Sequence, residues 1–452
     1  MHWQTNVPGQ QWSHNQCACS NSWYEHAPTQ ALRYNANWQP DDANIPDIKK
    51  EIDLLYPNLD APMKSSKALA GLTVIDFSAV FAGPICSRYL LDCGADVIKI
   101  ETPGVGDHTR GVNGMSRIYA HFNAGKRSMA VDLKHADGQA LVRRLILDAD
   151  IVIENFRPGI MARFGLDYDT LSREHPGLIY CSISGFGQTG PMATRAAYAP
   201  IVHAASGFDT VFGQSQDNDN RPPNWEIMMA DILTGTLAYG AVQTALIGRQ
   251  QSGQGDYIDI SMMDAMMTLI PAHVQQQQSL QSGKPDVIGR YCPAQTQDGF
   301  IMISIVSDKN LQGLAAAIDR PDLLADERFS RAQRRARVKE LIGEIEKWSL
   351  ALPAADCETI LTKAGVPCGI YEKVEDLFAH PQVVERQSFS SVSAEPLGEF
   401  LVQNLPAKFR QADTAVTPWA ATLGQHTDEI LSERLQLDSA EINRLRAARA
   451  VS

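Results

Sequence analysis

Leu72-Thr-Val-Ile-Asp-Phe77, Ala82-Gly-Pro-Ile-Cys-Ser-Arg-Tyr-Leu-Leu-Asp92 and Val97-Ile-Lys-Ile-Glu101 follow one another with short connections, and their reading decides the fold. The first is a short apolar run rich in β-branched residues, which predicts a strand. The second carries apolar residues at helical spacing behind a proline near its start, and Gly94 ends it. The third returns to the strand pattern. Strand, helix, strand in so few residues is the unit of a parallel sheet. Working outward, Met129–Leu133, Asp150–Ile153 and Leu178–Ile183 repeat the strand signal, and the amphipathic stretch Gln139–Leu147 lies between two of them. Met229–Ile247 is apolar or small on every side, which predicts a helix buried all round. A second region, 285–390, has its own strand Phe300–Ile305 and a charged helical stretch, Glu327–Leu350. The composition changes again after Pro396. Asp428–Leu431, with Thr427 as its cap, and Ser439–Ala450 read as closing helices.

The chain has 452 residues, enough for two or three domains. No apolar run reaches the roughly 18 residues of a membrane helix, so neither a spanning segment nor a membrane partner is expected. A net charge of -12 without a contiguous basic face argues against nucleic acid. Eight cysteines without C-x-x-C pairs indicate neither a disulfide framework nor a zinc site, and a cytoplasmic location fits them. Residues 1–62 are rich in Gln, Asn, Trp, His and Pro and lack periodicity. They read as a poorly ordered extension, without the apolar core of a secretory signal and with Arg33 as their only arginine. A translation start at Met63 fits as well.

Seven segments carry a resemblance: Leu69–Asp76, Gly94–Glu101, Gly125-Lys-Arg-Ser128, Glu154-Asn-Phe-Arg-Pro-Gly159, Ser184-Gly-Phe-Gly-Gln-Thr-Gly-Pro191, Ala230-Asp-Ile-Leu-Thr-Gly235 and Gly424-Gln-His-Thr-Asp-Glu429. In order and spacing they resemble the class III coenzyme A transferases of the CaiB/BaiF type, the group of formyl-CoA transferase and carnitine CoA-transferase. The resemblance implies an α/β fold whose large Rossmann-like, CoA-binding domain is built from both ends of the chain (63–275 and 396–452). It also implies a smaller central α+β domain (285–390) and a homodimer of two interlocked ring-like subunits. The activity implied is CoA exchange between an acyl-CoA thioester and a small carboxylic acid. Coenzyme A is then substrate, and no permanent cofactor or metal is expected.

A CoA pocket needs a few fixed cations and backbone N–H donors for phosphates. Lys126 and Arg127 stand on an expected loop where a cation can be presented, or else form a solvated pair. Pro158 suits the first turn of a helix whose N–H groups would face an anion, with Arg163 one turn on. By resemblance, Asn155, Phe156 and Arg163 match positions that contact the nucleotide half of CoA, and Val80 and Lys126 match others near it. Thr102 stands where the family often has an arginine.

The resemblance also places a nucleophilic aspartate a few residues after the glycine-rich loop, but that triplet here is Ala197-Tyr198-Ala199. An alanine methyl forms no anhydride. Asp231, at the start of the Met229–Ile247 helix, and Asp209 are the carboxylates that could substitute. Their plainer readings are a helix-terminus acid and a turn acid. His203 reads as a hydrogen-bonded core residue. Two other functions stay open: a CoA-binding family member impaired in catalysis, and an NAD-linked oxidoreductase. The latter rests on Gly185-Phe-Gly187-Gln-Thr-Gly190, a G-x-G-x-x-G run that the dinucleotide fingerprint requires to open a helix at once.

Overall fold

The computed structural model describes residues 67–215, 222–223, 226–281 and 291–452. The extension expected over 1–62 lies outside them. Strands β1 (Thr73–Asp76), β2 (Asp96–Glu101), β3 (Arg127–Ala130), β4 (Ile151–Glu154), β5 (Ile179–Ser184) and β6 (Tyr257–Ser261) form one parallel sheet in the order β3-β2-β1-β4-β5-β6. The crossovers carry α1 (Ala82–Asp92), α2 (Arg117–Asn123), α3 (Ala136–Leu147), α4 (Ile160–Arg163), α5 (Tyr168–Leu171), α6 (Ala199–Ala205), α7 (Phe208–Ser215) and α8 (Met229–Ser252).

The period of two in the strands sorts their side chains between two cores. Ile75, Ile98 and Val152 face α3 and the C-terminal helices α15 (Thr427–Leu435) and α16 (Ser439–Ala447), whose Ile430, Leu431 and Leu445 join that cluster. Val74, Val97, Ile151 and Ile153 face α1 and α8, against Cys86, Leu90, Ala238 and Val242.

Between β6 and α15 the chain forms α9 (Met262–Met267), α10 (Pro271–Gln281), β7 (Pro293–Gln295), β8 (Phe300–Ile303), α11 (Asp308–Ala317), α12 (Val338–Ser349), α13 (Ala354–Lys363), β9 (Cys368–Ile370), α14 (Pro381–Glu385), β10 (Phe389–Ala394) and β11 (Gly398–Gln403). Strands β7, β8 and β9 make an antiparallel sheet with its own core of Ile301, Leu314, Phe329, Leu341 and Leu361.

Three sequence expectations shift. Helix α12 begins at Val338 rather than at Glu327. Arg328, Arg331, Arg334 and Arg335 would stack like charges at helical spacing, and Arg334 turns inward to Asp308 at 2.9 Å instead. Thr427 is the first residue of α15 and not its cap, because its hydroxyl accepts the Ala130 N–H and donates to Gly424 O. Helix α8 is open on one face, where Thr236, Leu237, Gly240, Thr244, Ile247 and Gly248 are exposed.

The α1–α8 contact is close because Gly235 has no Cβ, and a methyl there would overlap Ile85 and the Ala82 carbonyl. Gly235→Ala is therefore expected to destabilise the protein by at least about 1–3 kcal/mol, the cost of forcing packed helices apart. A lowered melting temperature, with activity falling alongside, is the expected measurement.

Candidate active site

Strand order reverses between β1 and β4, so the crevice beyond their C-terminal ends is where an open α/β sheet binds its ligand. The β1–α1 loop, Phe77–Phe81, forms one wall. Asn155, directly after β4, holds that loop from the other side: its Oδ1 accepts the Ala79 N–H at 2.9 Å and its Nδ2 donates to Ala79 O at 2.8 Å. Val80 follows with φ of 72°, a conformation a β-branched residue rarely adopts. Its N–H donates to both carboxylate oxygens of Asp107, at 3.2 and 3.3 Å.

Beneath the loop lies a buried charge network. Asp107 pairs with Lys99 at 3.1 Å, and Lys99 Nζ donates to Ser78 O at 2.6 Å. Glu101 pairs with Arg110 at 2.7 Å and accepts from Ser128 Oγ at 2.6 Å. Lys99 and Glu101 share one face of a strand that the sheet covers, so their charges need partners.

Lys126 departs from the sequence expectation. It is 1% exposed, and its three donors go to Asp76 Oδ2 at 3.0 Å, Pro84 O at 3.0 Å and Asn123 Oδ1 at 2.8 Å. It ties the end of β1 to the first turn of α1 and offers no ammonium to a phosphate. Burial would raise the Asp76 carboxyl, but Lys126, Lys99 and the Ser78 and Ser87 hydroxyls hold it well below the usual carboxylate range. Arg127 is likewise engaged, by Asp96 at 2.5 Å and Glu429 at 3.1 Å.

The segment after β4 also differs from expectation. Helix α4 is a single turn that opens at Ile160, behind Gly159 at φ 84°, and not at Pro158. Arg163 is exposed and forms no ion pair among the described residues. Phe156 packs its ring on the core facing α3, and its N–H donates to Glu154 Oε2 at 2.8 Å. Beside this segment is a pocket of about 150 Å³ lined by Glu154, Arg157, Met161, Tyr168, Ser182 and Tyr257. Burial pushes the Glu154 carboxyl up to about 7, against the Ser182 hydroxyl and the Phe156 N–H. Sequence reading passed over Glu154, although an acid closing an apolar strand was the signal.

Helix α8 meets α1 at Gly235 and the last turn of α6 at His203. Helix α8 packs against both α1 and α6, and Ala82, Ala199 and Ala230, each in the first turn of its helix, share one apolar cluster. Ala199 is 1% exposed. Helix α1 has no side-chain cap of its own. In the first turn of α8, the Asp231 carboxyl lies where the backbone N–H groups of Ala82 and of Asp231 itself favour its charged form. At 9% exposure this acid is nearly dry, and burial pushes it up to about 6 despite those two donors.

His203, on α6, accepts the Ala230 N–H on Nε2 at 3.0 Å. Burial depresses its basicity, while Asp209 opposes that. Asp209 thus sits half-buried on the His203 side, at the start of α7. The site draws Val80, Asn155 and Asp231 together around one loop, leaves Phe156 and Arg163 on its far flank, and places Lys126 underneath. The glycine-rich run opens no helix before Ala199, so the dinucleotide fingerprint is not met.

A family model described as CoA-transferase family III matches residues 69–427. The chain is 36% identical to succinate–glutarate CoA-transferase of Agrobacterium fabrum, over 81% of this chain and 95% of that protein. It is 32% identical to succinyl-CoA–D-citramalate CoA-transferase of Chloroflexus aurantiacus, over 85% and 98% respectively. Among solved structures, a CAIB/BAIF family protein from Brucella suis superposes with a TM-score of 0.70 at 33% identity, covering 82% of this chain and all of that one.

Proposed function

The chain belongs to CoA-transferase family III, and from that membership we propose that it moves coenzyme A from an acyl-CoA thioester to a carboxylic acid, with Asp231 as the covalent nucleophile. The observation that carries this is a nearly dry carboxylate in the first turn of α8, beside the start of α1, while the side chain of Ala199 offers no oxygen. An Asp Oδ attacks the thioester carbonyl, the C–S bond breaks, and CoA thiolate leaves a mixed anhydride. The thiolate then attacks the aspartyl carbonyl, releasing the donor acid and leaving an aspartyl-CoA thioester. The acceptor carboxylate attacks that thioester, and the returning thiolate takes the new acyl group and frees Asp231. The Ala82 N–H at the start of α1 favours the carboxylate form and the negative charge it must carry. The relatives' substrates direct the first assay to succinyl-CoA with labelled glutarate; label entering the CoA thioester supports the proposal, and none in any pair of C4 to C6 acids opposes it.

The nucleophile acts as its anion. Activity is therefore expected to rise with pH through a midpoint at about 6, set by the burial of Asp231, and to fall away below it. A pH profile of kcat checks this.

Ala199 supports a second reading, an acyl-CoA-binding protein without turnover. Calorimetric binding of acyl-CoA with no label exchange, and exchange appearing in Ala199→Asp, would favour it.

We also read the working unit as a homodimer in the cytoplasm. Leu237 and Ile247 on α8, Met267 on α9 and Val274 on α10 are exposed apolar side chains on consecutive helices, and the free cysteines among the described residues fit a reducing compartment. Sedimentation at twice the chain mass of 49.6 kDa is the expected result.

A further inference from the structure

We infer that Asn155 and Asp107 are positioning residues that hold the β1–α1 loop in a strained shape, so that the start of α1 is set against the first turns of α8, which carry Asp231. This rests on the reading of Asp231 as nucleophile.

Val80 carries a Cβ branch at φ 72°, a conformation that persists only where its surroundings over-determine it. They do so here from both sides. The Asn155 amide makes a closed pair of hydrogen bonds with the N–H and C=O of Ala79, and the Val80 N–H is taken by Asp107. Asp107 is fixed in turn by Lys99, by the Thr109 N–H at 2.9 Å and by the Thr109 hydroxyl at 2.8 Å. Its own N–H donates to Glu101 at 3.0 Å.

Two residues after Val80, α1 begins at Ala82, whose carbonyl lies against Gly235, one turn beyond Asp231 on α8. A left-handed residue there reverses the chain within one step, which sets where the α1 N-terminus points. On this account Asn155 serves the transferred carbonyl through the loop rather than by touching the nucleotide.

The test is a double-mutant cycle between Asn155→Ala and Val80→Gly, assayed with succinyl-CoA and labelled glutarate. Glycine adopts φ near 70° without steric cost, so it makes the clamp partly dispensable. Asn155→Ala in the presence of Val80 is expected to lower kcat by roughly 10- to 100-fold, as a small misplacement near a reacting group does. Its KM for acyl-CoA should change little, and its pH midpoint should move upward because the Ala82 N–H no longer favours the anion. Adding Val80→Gly should recover about tenfold of that kcat, a coupling that distant sites do not show.

A raised KM with kcat and pH midpoint unchanged, and no recovery on adding Val80→Gly, would show instead that Asn155 contacts the substrate, and the inference falls. If Asn155→Ala does not fold, Asn155→Asp keeps the acceptor for the Ala79 N–H and loses the donor to Ala79 O; it should show a smaller kcat loss of the same kind. The cycle is also read in melting temperature, which does not depend on what Asp231 does. Full activity in Asp231→Asn would remove the nucleophile reading, whereas additive melting shifts in the Asn155 and Val80 variants would remove the clamp.

Discussion

Asp231→Asn is expected to lower the rate of CoA exchange by ~10³-fold or more while making the protein more stable. The rate loss follows from chemistry, because an amide oxygen is a far weaker nucleophile than a carboxylate and the covalent route closes with it. The gain in stability follows from linkage. Burial raises the Asp231 carboxyl to about 6 in the folded chain, against about 3.9 when unfolded. The folded state thus binds more protons between those values, and stability falls as pH rises from about 4 to about 6 and stays lower above. A neutral asparagine of the same shape removes that cost, on the order of 2–3 kcal/mol at pH 7. Were Asp231 only a helix cap, asparagine would serve equally well and activity would survive. Label exchange and thermal melting on the same preparation separate the two roles.

The second large effect is on stability. Lys126→Met leaves Asp76, 0% exposed, without its nearest cation and leaves Pro84 O and Asn123 Oδ1 without a donor. Breaking a buried pair from one side costs about 3–5 kcal/mol, seen as a lower denaturant midpoint. In the wild-type protein Asp76 lies well below its unfolded value, so its contribution is present above about pH 4 and is lost only as pH falls through the depressed value. The variant should therefore unfold at a higher pH during acid titration. Adding Asp76→Asn should recover part of the loss, because the two side chains share one interaction.

The β1–α1–β2 unit was legible because its signals agree. Apolar runs, a proline near the start of a helix and Gly94 at φ 111° after its end all point the same way, and α1 spans Ala82–Asp92 as the spacing predicts. Side-chain direction was not legible. A lysine after a glycine and before a strand reads as a solvated loop cation, yet the turn at Gly125 carries Lys126 inward to Asp76, a partner fifty residues away. The open face of α8 was hidden for a related reason, since small and apolar residues on every side do not say which side the chain itself covers. The β10–β11 hairpin went unread because Phe389-Ser-Ser-Val-Ser-Ala394 has the composition of a loop, and only its pairing with Gly398–Gln403 makes it a strand.

At the site, Asn155 and Val80 were marked by resemblance as neighbours of the nucleotide. The structure adds what spacing does not contain, a pair of hydrogen bonds to Ala79 and a left-handed β-branched residue. Lys99 and Glu101, in contrast, were readable as a pattern. Two charges two residues apart in an otherwise apolar strand announce a buried network on one face of the sheet, although not its partners.

Mass mapping of peptides after incubation with succinyl-CoA and hydroxylamine tests the carboxylate route most directly, since hydroxylamine converts an activated carboxyl into a hydroxamate. A hydroxamate on the peptide carrying Asp231, absent without acyl-CoA, is the expected result. Turnover accompanied by a modified carboxyl on another peptide, or by none, would contradict it.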